Sequence, residues 1–370
     1  MPASFKIASV PLYGEQHNLS CEYAATHMLT AFWGKPINES EFIANIPFTD
    51  NPHKGFRGDI DGLFGGLSEY GIYAEPIVRF LDQKGFNTRL LAGGVTELKQ
   101  EITRGHPVVT WVTYALHNSY PIKVEIDKLP VTLVPWEHAV VITGYDEQGV
   151  YVNGPADGSR TFFDWDGFTR SWGLFGNMAF TIWPQSEKTP PGETPGVSPY
   201  FYRTFLNMGG LQIFGLPVSG ELNENGKIVQ YFERTRMEYD PKGPDTQPTN
   251  FGFMGREFNA TRMNEAAFQP VSDQDSSKYY VRETGHYISD YFKDYWQNNG
   301  DLIVFGFPIS EEFTENGKIV QYFERASLEY NPADKSVRPG ALGQALLTQK
   351  EALAVINQRI LPALKFQTLF

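Results

Sequence analysis

The residues best suited to covalent chemistry are the single cysteine, Cys21, and a histidine that begins an apolar run, His138. A thiolate is a strong nucleophile, and an imidazole beside it can pass its proton to a leaving group. Gln16, five residues before Cys21, offers a side-chain amide that can donate to an oxyanion. Asn153 lies beyond the strand that follows His138. Together these side chains predict acyl transfer through a cysteine nucleophile.

Cys21 is predicted to open an amphipathic helix. Apolar residues follow it with helical spacing, at Ala25, Met28, Leu29 and Phe32. A thiol at a helix N-terminus is expected to have a lowered pKa, because the helix dipole favours the thiolate. The alternative is that Cys21 is a small buried apolar side chain, which is the commonest role of a free cysteine. The position of Cys21 alone leaves both interpretations open.

A β-hairpin is predicted to bring His138 and Asn153 together. The β-branched run at 138–145 predicts one arm, and Val150–Val152 predicts the other after a short turn. Because His138 begins the first arm and Asn153 follows the second, the two ends are expected to be neighbours. A base and the group that orients it require such an arrangement. Asp157, a few residues later, is the alternative orienting group.

Composition limits the classes of function. The 370 residues carry a net charge of −12 without a basic block, so nucleic acid and anionic membranes are not expected partners. One cysteine excludes an intrachain disulfide and a cysteine-rich metal cluster. No cofactor is predicted, and the turn-rich stretch at 51–62 lacks the acidic positions of a calcium loop. No stretch is long and apolar enough to predict a transmembrane helix, and the N-terminus lacks the apolar core of a signal peptide. The compartment therefore stays open between the cytoplasm and export by a signal outside this chain.

A proline-rich linker and an internal duplication predict the domain organisation. The predicted parts are a catalytic domain at 1–185, the linker at 186–199, repeat 1 at 200–262, repeat 2 at 263–345 and a C-terminal helix at 346–370. The helix itself is expected at Leu346–Leu361. Three segments recur 91 residues apart without a gap: 213–219 as 304–310, 225–234 as 316–325, and 238–241 as 329–332. A constant offset over three segments indicates duplication.

Each repeat is predicted to contain an aromatic helix and a hairpin with an Asn-Gly tip. Each also carries a Glu-Arg pair, Glu233-Arg234 and Glu324-Arg325. Paired carboxylates can cleave glycosides, but identical charges at identical repeat positions favour a structural role.

The order of these motifs resembles that of the papain-like cysteine peptidases, and in particular the peptidase domains that remove double-glycine leaders from bacteriocin precursors. The resemblance covers residues 5 to about 184 and includes the segments around Cys21 and His138. It implies Cys21 as nucleophile, His138 as general base, and Gln16 with the Cys21 backbone N–H as oxyanion donors. The family usually has an aspartate where this chain has Gly154, so Asn153 or Asp157 is the expected substitute.

The repeats distantly resemble the LGFP repeats of bacterial envelope proteins, which implies attachment to a cell wall or another surface polymer. The fold class predicted for the whole chain is α+β, a papain-like domain followed by a duplicated small α+β domain. The leading functional hypothesis is a thiol-dependent peptidase acting on peptides or proteins, which the repeats target to a surface. The alternative is a catalytically degenerate papain-like domain that acts as a cell-surface or polymer-binding module. The repeat type favours an extracellular or cell-surface location.

Overall fold

The computed structural model describes residues 1–127, 129–186, 196–242, 249–276 and 278–355. The chain divides into two compact units, and the boundary follows Gly210. The first unit therefore extends beyond the predicted limit at 185. One reason is that the Tyr202 hydroxyl accepts a hydrogen bond from the Ala179 amide (3.1 Å) and donates one to the Leu91 carbonyl (3.0 Å). Residues 187–195 of the predicted linker lie outside the described residues. None of the described helices combines the length and apolarity that a membrane crossing requires.

The first unit contains both helices and strands. Its helices are α1 (Cys21–Phe32), α2 (Glu39–Asn45), α3 (Ala74–Gln83), α4 (Gly94–Thr103), α5 (Trp165–Leu174) and α6 (Tyr202–Asn207). Its strands are β1 (Phe5–Lys6), β2 (Phe86–Leu90), β3 (Val108–Thr113), β4 (Ile122–Ile126), β5 (Leu129–Leu133), β6 (Glu137–Tyr145), β7 (Gly149–Gly154), β8 (Ser159–Asp164) and β9 (Ala179–Pro184).

An antiparallel sheet positions the candidate site residues. Its strand order is β2-β9-β3-β6-β7-β8, and β1 pairs with β6. The predicted amphipathic helix is confirmed as α1, which packs against β6 and β3. Ala25, Met28 and Leu29 are fully buried on its apolar face. All nine residues of β6 are buried, so this strand lies at the centre of the core.

The hairpin of β6 and β7 is also confirmed, although its register is interrupted. Val141 lies opposite Asn153 and Ile142 opposite Val152, and the register then shifts between Ile142 and Gly144. A β-bulge of this kind places two residues of one strand opposite one residue of its partner. The pairing therefore places Asn153 of β7 opposite Val141, which lies three residues after His138 in β6.

The second unit contains repeat 2, repeat 1 from residue 211 onwards, and both copies of the recurring segments. Its helices are α7 (Gly210–Phe214), α8 (Met254–Phe258), α9 (Asp290–Asn298), α10 (Asp301–Val304) and α11 (Leu342–Val355). Its strands are β10 (Leu222–Glu224), β11 (Lys227–Tyr231), β12 (Arg236–Tyr239), β13 (Asn250–Phe251), β14 (Tyr279–Val281), β15 (His286–Ile288), β16 (Phe313–Glu315), β17 (Lys318–Tyr322), β18 (Ser327–Asn331) and β19 (Ser336–Pro339). Residues 356–370, which include the end of the predicted C-terminal helix, lie outside the described residues.

Both predicted Asn-Gly hairpins are present. Asn225 and Gly226 have φ values of 54° and 82° between β10 and β11, and Asn316 and Gly317 have values of 49° and 78° between β16 and β17. Positive φ at both central residues matches the type I′ turn, which asparagine and glycine tolerate best.

The helix at the end of each repeat packs against the other repeat: α8 of repeat 1 contacts repeat 2, and α11 of repeat 2 contacts repeat 1. The Arg256 amide at α8 donates to the Glu324 carbonyl (3.3 Å), and the Gln344 amide at α11 donates to the Glu233 carbonyl (3.0 Å). These contacts are reciprocal, so the two repeats complete one another. A shared core lies between them and includes Met254, Val229, Val320, Leu342 and Leu346.

The repeated Glu-Arg pairs have structural partners. The Glu233 carboxylate accepts from the Leu216 amide (3.1 Å), and the Glu324 carboxylate accepts from the Phe307 amide (3.2 Å). Arg234 and Arg325 each donate to two backbone carbonyls of the preceding helix. The matching partners in the two repeats support the structural interpretation.

Candidate active site

Cys21 is the first residue of α1, and its thiol lies against the central strand. Its sulfur accepts a hydrogen bond from the Ala139 amide of β6 at 3.3 Å, and only 3% of the residue is exposed. Ala139 directly follows His138, so the helix N-terminus is attached to the strand at the residue after the histidine. This contact brings the two predicted catalytic segments together.

Two buried glutamates surround the thiol. The Cys21 Sγ and one carboxylate oxygen each from Glu22 and Glu137 all lie within 4.8 Å of one another. Glu22 also accepts a hydrogen bond from the Ile72 amide (2.6 Å), and its other oxygen lies 3.4 Å from the sulfur. Glu137 Oε1 is buried and has no hydrogen-bond partner among the described residues. The thiol therefore faces carboxyl groups, with no cation paired to either glutamate in the described part of the chain.

This environment keeps the thiol protonated. Burial raises the pKa of Cys21 well above its usual range, and the carboxylates of Glu22, Glu137 and Glu15 raise it further. Burial also raises the pKa of Glu22 to about 7 and that of Glu15 to about 8. The pKa of Glu137 lies well above its usual range, again chiefly because of burial. The expectation of a dipole-lowered thiol pKa was therefore wrong, because desolvation and like charge exceed the dipole effect.

His138 is the second residue of β6 and is 5% exposed. Its ring makes edge contacts with Tyr114 and Phe64, with centroids 5.3 and 6.4 Å away. Burial lowers the pKa of His138 to about 4, so the imidazole is neutral at physiological pH. Among the described residues no hydrogen bond joins the ring to Cys21. The backbone of His138 therefore lies one residue from the amide that binds the thiol, and the described hydrogen bonds do not join its ring to the sulfur.

Asn153 is buried, and none of its described hydrogen bonds goes to His138. Its side-chain amide donates to the carbonyls of Val10 (3.3 Å) and Pro11 (3.2 Å). The expected contact with the imidazole is absent from the described residues because the hairpin register places Asn153 opposite Val141. In this structure Asn153 holds the N-terminal segment onto the sheet.

Gln16 and Asp157 both lie at the surface. Gln16 is exposed; its backbone N–H donates to Glu39 (3.1 Å), and its side chain bonds the Tyr13 hydroxyl. Asp157 is also exposed and accepts from the Ser159 amide (3.0 Å) within the turn between β7 and β8. The described contacts bring neither side chain to the Cys21 sulfur or the His138 ring.

Three glutamates at the thiol, Glu15, Glu22 and Glu137, are not among the site residues predicted from the sequence. One signal was available, because Glu22 directly follows Cys21 and Glu137 directly precedes His138. A carboxylate at the start of a strand buried on both faces must lie in the core, where it needs a partner.

An aromatic surface adjoins His138. It consists of Phe64, Tyr114 and Trp136, which are each 37–40% exposed, and the neighbouring Leu63, which is 86% exposed. The Phe64 ring contacts the rings of Tyr114 and Trp136. Trp136 has a φ of 64°, and this left-handed conformation is strained for a tryptophan. The surface offers apolar contacts beside the imidazole.

The first unit is similar in sequence to a known protein family. Residues 7–180 match the Peptidase_C39 like family. This region has the predicted α+β fold, and the sheet-rich second unit follows it. The match covers slightly less than half of the chain.

Individual relatives are distant. The uncharacterized protein YvpB of Bacillus subtilis strain 168 is 26% identical in an alignment 174 residues long that covers 44% of this chain and 68% of YvpB. A Bacillus anthracis protein described as a C39-like peptidase is 22% identical, with a TM-score of 0.46 over 50% of this chain and all of that structure. Xylellain, a cysteine protease from Xylella fastidiosa, is 14% identical, with a TM-score of 0.29 over 50% of this chain and 87% of its own.

Proposed function

We propose that the first unit is a cysteine peptidase in which Cys21 is the nucleophile and His138 the general acid and base. The observation that carries the proposal is the 3.3 Å hydrogen bond from the Ala139 amide to the Cys21 sulfur. It fixes a thiol at a helix N-terminus against the residue that follows a histidine. The match of residues 7–180 to a peptidase family supports the same assignment.

The reaction would follow the acyl-transfer sequence of thiol peptidases. His138 takes the proton from the Cys21 thiol, and the thiolate sulfur attacks the scissile carbonyl carbon. The Cys21 backbone N–H and the Gln16 amide donate to the resulting oxyanion. The imidazolium then gives its proton to the leaving amine as the C–N bond breaks. Water, deprotonated by His138, hydrolyses the thioester and restores the thiol.

The described structure corresponds to a resting form of such an enzyme. Cys21 is buried and protonated, and Gln16 is directed to Tyr13. For catalysis the His138 ring must approach the sulfur, and the Gln16 amide must turn towards it. We propose that a bound peptide, in contact with the aromatic surface beside His138, stabilises this arrangement.

Hydrolysis of a peptide library by the full chain tests the proposal. Cleavage that is lost in Cys21→Ala and in His138→Ala, while both variants keep the circular dichroism and melting behaviour of the native chain, is the expected result. Full activity in folded Cys21→Ala would exclude Cys21 as the nucleophile. Leader peptides that end in two glycines are one substrate class to include, given the resemblance to leader peptidases.

A second candidate function is peptide binding without cleavage. It is favoured by the protonated thiol, by Gly154 at the position of the usual aspartate and by the engagement of Asn153 with Val10 and Pro11. In this case the native chain and Cys21→Ala would bind a library peptide with equal affinity, and neither would cleave it.

The second unit is proposed to hold the protein on a surface polymer. This proposal depends on the distant resemblance of the repeats to envelope-associated repeats. Co-sedimentation of the full chain with purified bacterial cell walls tests it, and a chain that stays in the supernatant would contradict it.

A further inference from the structure

The group of Cys21, Glu22 and Glu137 has the composition of a metal site. One sulfur and two carboxylate oxygens lie within 4.8 Å of one another, and each comes from a different buried side chain. Ligands around a tetrahedral zinc ion are separated by roughly 3.5 Å, given the bond lengths of zinc to sulfur and oxygen. One Glu22 oxygen already lies 3.4 Å from the sulfur, and one Glu137 oxygen lies within 4.8 Å of it.

A second observation indicates that the group lacks a partner. Glu137 is 4% exposed, and its Oε1 accepts no hydrogen bond within the described ranges of the chain. None of the described lysine, arginine or histidine side chains forms an ion pair with Glu22 or Glu137. Glu15 lies beside them and also has a buried oxygen, Oε2, for which the described residues supply no partner. Buried polar atoms in native proteins usually have partners, so these carboxylates are placed to receive a cation.

We propose that Cys21, Glu22 and Glu137 bind one Zn²⁺ ion. Calcium and magnesium take oxygen ligands, whereas zinc accepts a thiolate together with carboxylates. Binding releases the thiol proton and any carboxyl protons to solvent, and a zinc–sulfur bond and two zinc–oxygen bonds form. A water molecule supplies the fourth ligand beside Glu15.

Metal binding would also regulate the proposed peptidase, and this consequence alone rests on the proposed function. A sulfur that is bonded to zinc cannot attack a carbonyl carbon. Zinc would therefore hold the enzyme inactive until a chelator or a competing site removes the ion.

Cobalt(II) titration of the metal-free full chain tests the site. Cobalt(II) bound to a thiolate produces a charge-transfer absorption band in the near ultraviolet, so the spectrum reports sulfur ligation directly. We expect a band that saturates at one equivalent, that zinc abolishes by displacement and that Cys21→Ser lacks. Glu137→Gln, which keeps the shape but removes the charge, should bind at least about tenfold more weakly. Glu147→Gln, at an exposed turn carboxylate, is the matched control and should bind like the native chain.

Two outcomes would overturn the proposal: no charge-transfer band at excess cobalt, or unchanged affinity in Glu137→Gln. Both are independent of hydrolysis. A chain that binds cobalt through Cys21 but cleaves no peptide even when it is metal-free would refute the peptidase assignment and leave the metal site standing. A chain that cleaves peptides but binds no cobalt would refute the metal site and leave the peptidase assignment standing.

Discussion

At the scale of single residues, the site is dominated by buried carboxyl groups that pair with no cation in the described ranges of the chain. Glu22 and Glu137 flank the thiol, and Glu15 lies near both. A buried carboxylate costs much more free energy than a buried carboxylic acid, because the charge loses its hydration. The folded chain therefore retains protons that the unfolded chain releases near the ordinary carboxyl pKa.

The first prediction concerns stability against pH. Burial raises the pKa of Glu15 from 4.5 to about 8, so the native state loses stability as the pH rises through this interval. Glu15→Gln should remove the part of this loss that ionisation of Glu15 causes. We expect the variant to have a free energy of unfolding higher by on the order of 3 kcal/mol at pH 8 and almost unchanged near pH 4.5. Urea unfolding of the native chain and the variant at both pH values measures the difference.

The exposed Glu147→Gln variant is the control for that measurement and should show no pH-dependent gain. If Glu15→Gln stabilised the protein equally at both pH values, ionisation of Glu15 would not be the cause.

The sequence predicted which residues lie near one another more reliably than it predicted their ionisation. The lone cysteine and the histidine at a strand start were both identifiable from type and position. The protonation of the thiol was not identifiable, because the pKa of Cys21 depends on Glu15, Glu22 and Glu137. These glutamates come from separate segments of the chain. Only the folded arrangement shows that their combined effect exceeds that of the helix dipole.

At the scale of elements, periodicity predicted α1 and the hairpin of β6 and β7 within a few residues. The register of the hairpin was not predictable. A bulge between Ile142 and Gly144 follows no simple pattern, and it sets Asn153 opposite Val141. Gly144 itself is required where β1 crosses, because a Cβ there would lie 2.8 Å from the Phe5 carbonyl oxygen. The identity of the residue that orients His138 was therefore not accessible from the alternation of the strands.

The second prediction separates structural from catalytic roles for Asn153. Asn153→Ala removes the donor for the Val10 and Pro11 carbonyls, and we expect a loss of about 1–3 kcal/mol in the free energy of unfolding. Because the side chain does not contact His138, kcat and the pH profile of hydrolysis should stay close to those of the native chain. Thermal unfolding and steady-state kinetics measure the two effects.

Asp157→Ala serves as the comparison, since Asp157 is an exposed turn residue. It should change stability by less than about 0.5 kcal/mol and leave kcat unaltered. A large fall in kcat for Asn153→Ala, with folding intact, would show that Asn153 orients the imidazole during turnover.

At the scale of the whole molecule, the duplication was evident from the constant offset of 91 residues. The exchange of helices between the repeats was not evident from the sequence. Each trailing helix packs on the other repeat, and no local pattern distinguishes this from packing on its own repeat. The boundary after Gly210 was also missed, because the contacts of Tyr202 with Ala179 and Leu91 join segments far apart in sequence.

The third prediction tests the exchange. A Cβ at Gly343 would lie 2.1 Å from the Phe232 carbonyl oxygen in the other repeat. Gly343→Ala should therefore separate α11 from repeat 1 and destabilise the second unit by about 2 kcal/mol or more. Hydrogen exchange of the β11 and β12 amides should accelerate, although the substitution lies in the helix that follows repeat 2.

Gly220→Ala is the matched control, because a Cβ there meets no atom within 4 Å. It should leave exchange unchanged. Unaltered protection of β11 and β12 in Gly343→Ala would contradict the reciprocal packing.

A nucleophilic Cys21 forms a covalent acyl intermediate during turnover. Intact-mass measurement of the full chain, quenched with acid while it turns over an activated peptide ester, detects this intermediate. We expect an added acyl mass that peptide mapping assigns to Cys21, that accumulates more slowly in His138→Ala and that is absent from Cys21→Ala. Hydrolysis of the ester by folded Cys21→Ala at the native rate, with no adduct on Cys21 in the native chain, would contradict it.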